Sequence, residues 1–220
     1  MKELKNGMKE FKGAIFDLDG TIIDSMNIWE EIDIKFLEKR NITLPKDYIE
    51  KINSMSFEKA ARYTIERFDL NESACDLIKE WNDMALYEYC NNIKLKPKVK
   101  EYLDRLKVNN IKIGLATSSP KELFEPVLKN NNVYDYFDTF TSVEDVGRDK
   151  GYPDIYLYTA KKLGLNPNEC VVFEDILVAV NTLKEVDLRV IGVYDKSSHK
   201  DLEKIKAKCD RFIYSFEELL

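Results

Sequence analysis

Short apolar runs alternate along this chain with longer stretches in which apolar residues recur every three to four positions. The runs fall at residues 14–16, 111–116, 139–143, 170–173 and 189–193, with a sixth at 211–214. Each has strand length, and most are rich in β-branched residues. Between them, residues 98–107 place Val99, Tyr102, Leu103 and Leu106 at the i, i+3, i+4, i+7 spacing of one helix face. A capping box predicts the next helix, with Ser119 as N-cap, Pro120 at the first helical position and Glu122 at the third. Pro153 opens another helix running to about Leu163, and Gly164 ends it. Strands alternating with helices predict right-handed crossovers and an α/β fold, a doubly wound parallel sheet covered on both faces.

One segment breaks this rhythm. Residues 25–96 contain no convincing strand. Residues 27–39 carry Trp29, Ile32 and Phe36 on one side of a predicted helix. Residues 57–68 follow, and residues 72–90 place Leu77, Trp81, Ala85 and Tyr89 four apart. A stretch of about 70 residues is too long for a simple connection. It reads as an all-helical domain, residues 25–96, inserted into a core domain made of residues 1–24 and 97–220.

Composition narrows the function classes. The chain has 220 residues, 44% hydrophobic and 34% charged, and a net charge of −6. This is ordinary globular material, and the acidic balance argues against a nucleic-acid partner. No apolar run approaches the roughly 18–20 residues of a membrane span. The amino end is polar and lacks the apolar centre of a signal peptide, with Met8 as an alternative start, so a cytoplasmic location is expected. Cys75, Cys90, Cys170 and Cys209 are far apart and show no zinc spacing. The single histidine, His199, lies in a polar loop sequence, so acid–base chemistry must run on carboxylates, lysine or a metal.

The candidate chemistry sits at strand ends. The first run leads into Asp17-Leu18-Asp19-Gly20-Thr21. Carboxylates two apart project the same way from an extended chain, at the sheet edge where open α/β folds bind ligands, and Gly20 permits a sharp turn. The second run ends in Thr117-Ser118-Ser119, which offers hydroxyls and helix amides to an anion. The fourth ends in Glu174-Asp175, a second acidic pair. Converging like charges call for a cation, and an oxygen-only donor set favours magnesium. Lys150, just before the helix at Pro153, can reach the same point.

In that order these motifs resemble the haloacid dehalogenase superfamily over essentially the whole chain. Asp17 to Thr21 are similar to its first motif, Thr117 to its second, Lys150 with Pro153-Asp154 to its third and Glu174-Asp175 to its fourth. The helical insertion resembles the cap of the branch that holds β-phosphoglucomutase-like enzymes and many small-molecule phosphatases. The resemblance implies a Rossmann-like core and an aspartyl-phosphate formed on Asp17. It also implies Mg2+ held by Asp17, the backbone carbonyl of Asp19 and Asp175, with Glu174 supporting or joining that set. Thr117 and Lys150 hold the phosphoryl oxygens, and Gly20, Thr21 and Ser118 complete the phosphate pocket. Asp19 protonates the leaving oxygen and then takes a proton from water. An acid at this place favours phosphate esters over halides, because halide leaves unprotonated. Asp24, where the cap begins, is read as a hinge or structural residue.

Three departures from the family pattern stand out. Gly151 replaces the proline after the third-motif lysine. Ile176, Ala179 and Asp187 replace the serine and glycines that follow the fourth motif. In the cap, Trp29 and Phe57 stand where mutases of this branch place a histidine and a basic residue. The expectation is a phosphatase acting on small phosphate monoesters, by resemblance sugar phosphates. Its cap pocket is lined by Trp29, Met55 and Phe57, with Arg62 able to supply charge. A phosphomutase is the first alternative, and an idle ligand-binding relative the second. A monomer or weak homodimer is expected.

Overall fold

The computed structural model describes residues 10–52, 55 and 57–220. Its strands, in chain order, are β1 (Gly13–Phe16), β2 (Lys112–Thr117), β3 (Thr139–Ser142), β4 (Cys170–Glu174), β5 (Arg189–Val193) and β6 (Arg211–Ile213). The helices begin with α1 (Ile28–Glu38), α2 (Tyr48–Ile52), α3 (Phe57–Phe68), α4 (Ala74–Asn91) and α5 (Val99–Val108). They continue with α6 (Lys121–Asn130), α7 (Val143–Val146), α8 (Asp154–Lys162), α9 (Leu177–Glu185) and α10 (Leu202–Lys208). Met8 lies outside the described residues.

The strands form one sheet in the order β3-β2-β1-β4-β5-β6, every pair parallel, as the alternating pattern predicts. The chain moves outward from β1 through β2 to β3, then returns to place β4 on the other side of β1. That reversal puts a topological switch point at the carboxyl ends of β1 and β4, the usual ligand position in open parallel sheets.

Period-two alternation divides the core between the two faces. Ile15 and Val172 face Tyr156, Ala179 and Val180. Phe16 and Phe173, paired in register, point the other way and stack at 4.4 Å between centroids. Tyr102 and Phe216 pack against them. Truncating either phenylalanine would cost about 3–5 kcal/mol. Ala179 is fully buried and Ile176 packs on the same cluster, so these departures lie in apolar packing.

Two local expectations need correction. The third strand stops at Ser142, whose hydroxyl and Asp145 form a capping box, so Val143 starts α7 instead of ending a strand. Helix α6 begins at Lys121, with Pro120 as its N-cap and no side-chain capping bond. Ser119 does not cap it. Its hydroxyl donates to Asp19 Oδ2 at 2.6 Å, a charge-assisted bond stronger than a neutral cap. In α1 the buried positions are Ile28, Ile32, Asp33, Phe36 and Leu37, and Trp29 is 37% exposed. At 100° per residue Trp29 lies about 20° from Phe36 and about 60° from Ile32, so it shares their side of the helix, as its spacing predicts, while staying partly open to solvent in the first turn. Gly164 does stop α8, at φ +68.

The contacts divide the chain into the sheet unit, up to Met26 and again from Ile93 to Leu220, and a helical unit, Asn27–Asn92. In the helical unit Phe36 meets Trp81 edge-on at 5.5 Å, and Arg40 ties α1 to Glu72 and Glu80. Helix α2 has no counterpart in the sequence reading. It is held by the fully buried Tyr48, whose hydroxyl bonds that of Thr64 at 2.7 Å. In the sheet unit the departing and returning segments pair, through an antiparallel bridge between Ile23 and Leu95. The Asp24 amide donates to the Lys94 carbonyl at 3.0 Å, and the Asp24 side chain is exposed.

Candidate active site

The carboxyl ends of three adjacent strands deliver the polar residues to one point. The Asp17 amide donates to the Phe173 carbonyl at 3.0 Å, which carries the β1–β4 pairing one residue past the strand. Asp17, Glu174 and Asp175 each offer an oxygen within 4.8 Å of the others, all three residues buried. Lys150, in the turn before α8, is 5% exposed and binds both Asp17 Oδ1 and, at 2.6 Å, Glu174 Oε1. Gly20 turns the chain at φ +79, and a Cβ there would lie 2.5 Å from Asp175 Oδ2. Only glycine fits, because both the backbone angle and the space exclude a side chain.

Hydroxyls hold the acidic groups in place. Thr21 is fully buried, and its Oγ1 donates to Asp17 Oδ2 at 3.1 Å and to Asp175 Oδ1 at 3.4 Å. The Tyr156 hydroxyl, from α8, donates to Glu174 Oε1 at 2.6 Å. Glu174 Oε2 accepts the Asp175 amide at 3.3 Å. Asp19 accepts from Ser25 at Oδ1 and from Ser119 at Oδ2, both at 2.6 Å. Thr117 is fully buried at the end of β2, and its Oγ1 accepts the Ser119 amide at 3.0 Å. Ser118 beside it is exposed.

Burial and mutual repulsion govern the charges. Burial pushes the Asp17 carboxyl up to about 7, with Glu174 and Asp19 adding to the effect and Lys150 opposing it. Burial, together with Asp17 and Glu174, raises Asp175 well above the usual carboxylate range. Burial works against the Lys150 ammonium, but Asp17 and Glu174 more than reverse it and hold its pKa above the ordinary value. Three buried carboxylates thus face one ammonium, and two of them resist ionisation. Such a hard-oxygen cluster fits a divalent cation, which would relieve that repulsion.

The structure brings together Asp17, Asp19, Gly20, Thr21, Thr117, Lys150, Glu174 and Asp175. Trp29 and the half-buried Met55 belong to the helical unit. The side chain of Phe57 lies outside the described residues, as do Asn53, Ser54 and Ser56 of the loop before it. Sequence reasoning missed Ser25, the Ser119–Asp19 bond and Tyr156. Tyr156 falls three residues after Pro153 on the buried face of α8, where helical periodicity identifies an apolar position but not a hydroxyl aimed at a carboxylate. His199 is exposed, in keeping with a solvated loop residue. The four cysteines are free. Among the described residues no helix is long and apolar enough to cross a membrane.

A parallel sheet whose switch point gathers buried carboxylates around one lysine defines an α/β enzyme equipped for anionic substrates and a cation. The haloacid dehalogenase-like hydrolase profile matches residues 14–193, and the chain belongs to that family. It is 26% identical over 205 residues to hexitol phosphatase B of Escherichia coli K12, covering 88% of each chain. It is 28% identical over 196 residues to beta-phosphoglucomutase of Bacillus subtilis, covering 83% of each. A solved Thermotoga maritima structure, a candidate beta-phosphoglucomutase, superposes with a TM-score of 0.81 at 24% identity, over 92% of this chain and 94% of that one.

Proposed function

We propose that this protein is a magnesium-dependent phosphatase of small phosphate monoesters, working through an aspartyl-phosphate on Asp17. The observation that carries this reading is the shared contact of Lys150 with Asp17 and Glu174 at the mouth of the switch point. The relatives named for hexitol phosphates and for a phosphoglucose mutase support sugar or polyol phosphates as the substrate class.

Asp17 and Asp175 would hold the ion, together with the Asp19 carbonyl. Glu174, already bonded by Lys150, Tyr156 and the Asp175 amide, supports them without needing to ligate. Bound there, magnesium would supply charge neutralisation between one anion and another. The Asp17 carboxylate attacks phosphorus while the bond from phosphorus to the ester oxygen breaks. Asp19 donates a proton to that oxygen as the alcohol leaves. Asp19 then accepts a proton from water, whose oxygen attacks phosphorus and releases Asp17 and inorganic phosphate. Lys150 and Thr117 bind the phosphoryl oxygens through both steps.

The test is p-nitrophenyl phosphate hydrolysis with and without magnesium, using Asp17→Asn as the control, followed by a panel of sugar and polyol phosphates. The expected result is metal-dependent release of phosphate by the wild type and none by the variant. Conversion of β-glucose 1-phosphate to glucose 6-phosphate without phosphate release would replace the phosphatase reading by a mutase. No turnover of any ester would leave a ligand-binding relative.

A further inference from the structure

Lys96 is an ordinary-looking lysine in a basic stretch, Lys94-Leu95-Lys96-Pro97-Lys98, just where the chain re-enters the sheet unit. Its side chain is nevertheless 13% exposed, and its ammonium meets three acceptors. These are the Gly20 carbonyl, the Tyr194 carbonyl at 2.8 Å and Asp195 Oδ2 at 2.7 Å. An ammonium has three donors, so this one is fully committed. Asp195 is 6% exposed at its side chain. Its other oxygen accepts the amide of Ser197 at 2.8 Å and its hydroxyl at 2.7 Å. That bend in the loop after β5 sets Ser198, whose hydroxyl donates to Asp175 Oδ2 at 3.3 Å. The same Asp175 oxygen lies where a Cβ on Gly20 would clash. Lys96 therefore joins two supports of one carboxylate, the Gly20 turn and the Ser198 loop, without touching the carboxylate itself.

We propose that Lys96, paired with Asp195, is a positioning residue that sets the Asp19–Gly20 turn and the Asp175 carboxylate for cation binding. This rests on the phosphatase reading of the same site. Losing the ammonium frees the Gly20 carbonyl and leaves Asp195 without its counter-ion, so the turn and the Ser198 loop both relax. Such indirect partners of metal ligands typically change metal affinity about 10–100-fold when removed. Charge alone predicts the opposite sign, because deleting a cation near an acidic cluster should tighten a divalent ion.

Calorimetric titration of magnesium into substrate-free wild type, Lys96→Met and Lys96→Gln decides the matter, with melting temperature and magnesium-dependent turnover recorded alongside. The expected result is graded weakening, about tenfold or more for methionine and less for glutamine, whose amide can still donate to two acceptors. The milder glutamine variant carries the test if the methionine variant does not fold. Equal or tighter magnesium binding by the variants, with any activity loss tracking only the melting temperature, overturns the proposal and leaves the phosphatase reading standing. A wild type that neither binds magnesium nor hydrolyses esters would overturn both.

Discussion

Ser119 reaches across 100 positions of sequence to donate its hydroxyl to Asp19 Oδ2 at 2.6 Å. The bond ties the loop after β2 to the turn after β1, and with Ser25 on Oδ1 it fixes the plane of the Asp19 carboxylate. Hydrogen bonds to charged groups contribute about 1.5–3 kcal/mol. Ser119→Ala should therefore lower kcat by about one to two orders of magnitude. KM should change little, because Asp19 acts on the leaving oxygen and not in ground-state binding. Steady-state kinetics on p-nitrophenyl phosphate check this.

The Lys150 ammonium bonds two of the three clustered carboxylates. Lys150→Met strands Asp17 and Glu174 as buried charges, and breaking such pairs costs about 3–5 kcal/mol. Urea denaturation should show that loss. Lys150→Met/Glu174→Gln should recover part of it, because one stranded charge is gone, while hydrolysis stays abolished in both.

Asp33 lies in α1 with 8% exposure, and burial, with Glu30 adding to it, pushes its carboxyl from 3.8 up to about 7. The folded chain therefore holds a proton that the unfolded chain releases near pH 4. Stability falls as pH rises from about 4 to about 7 and is level above, a loss of order 4 kcal/mol. Asp33→Asn removes the dependence. Its melting temperature should exceed that of the wild type at pH 8, and the gain should shrink progressively as pH falls towards 4.

Lys98 precedes α5 at φ +66, a left-handed conformation that non-glycine residues adopt at a cost of roughly 1–2 kcal/mol. Its ion pair with Glu101 is exposed on both sides, and such pairs contribute little. Lys98→Gly should raise the melting temperature by about 2–4 °C, since the relief outweighs the added freedom of the unfolded chain. Differential scanning calorimetry measures it.

Short apolar runs and period-3.6 patterns placed the sheet, its parallel character and the order of its polar strand ends, because burial on both faces leaves continuous apolar runs that stop where the chemistry begins. Asp17 and Glu174-Asp175 were legible for that reason, and Lys150 from its place just before the helix at Pro153. Trp29 shares the side of Ile32 and Phe36 that its spacing predicts, but its 37% exposure depends on what packs beside the first turn, which a helical period does not report. Ser119 carried a valid capping signature, yet a carboxylate from a distant strand competed successfully for its hydroxyl. Lys96 and Asp195 gave no signal, and Tyr156 only that of a buried helix position. Their partners come from other strands, and only the assembled sheet unit makes a buried lysine out of one that reads as solvated.

The bridge between Ile23 and Leu95 has an architectural consequence. Where the chain leaves the sheet and where it comes back are already joined, like the two legs of a staple. Whatever sequence lies beyond that junction closes a loop whose ends are pinned, and lengthening such a loop carries a thermodynamic penalty that grows only logarithmically. Residues 27–92 can thus be exchanged or rewritten as a module, while the carboxylates on the sheet keep their address.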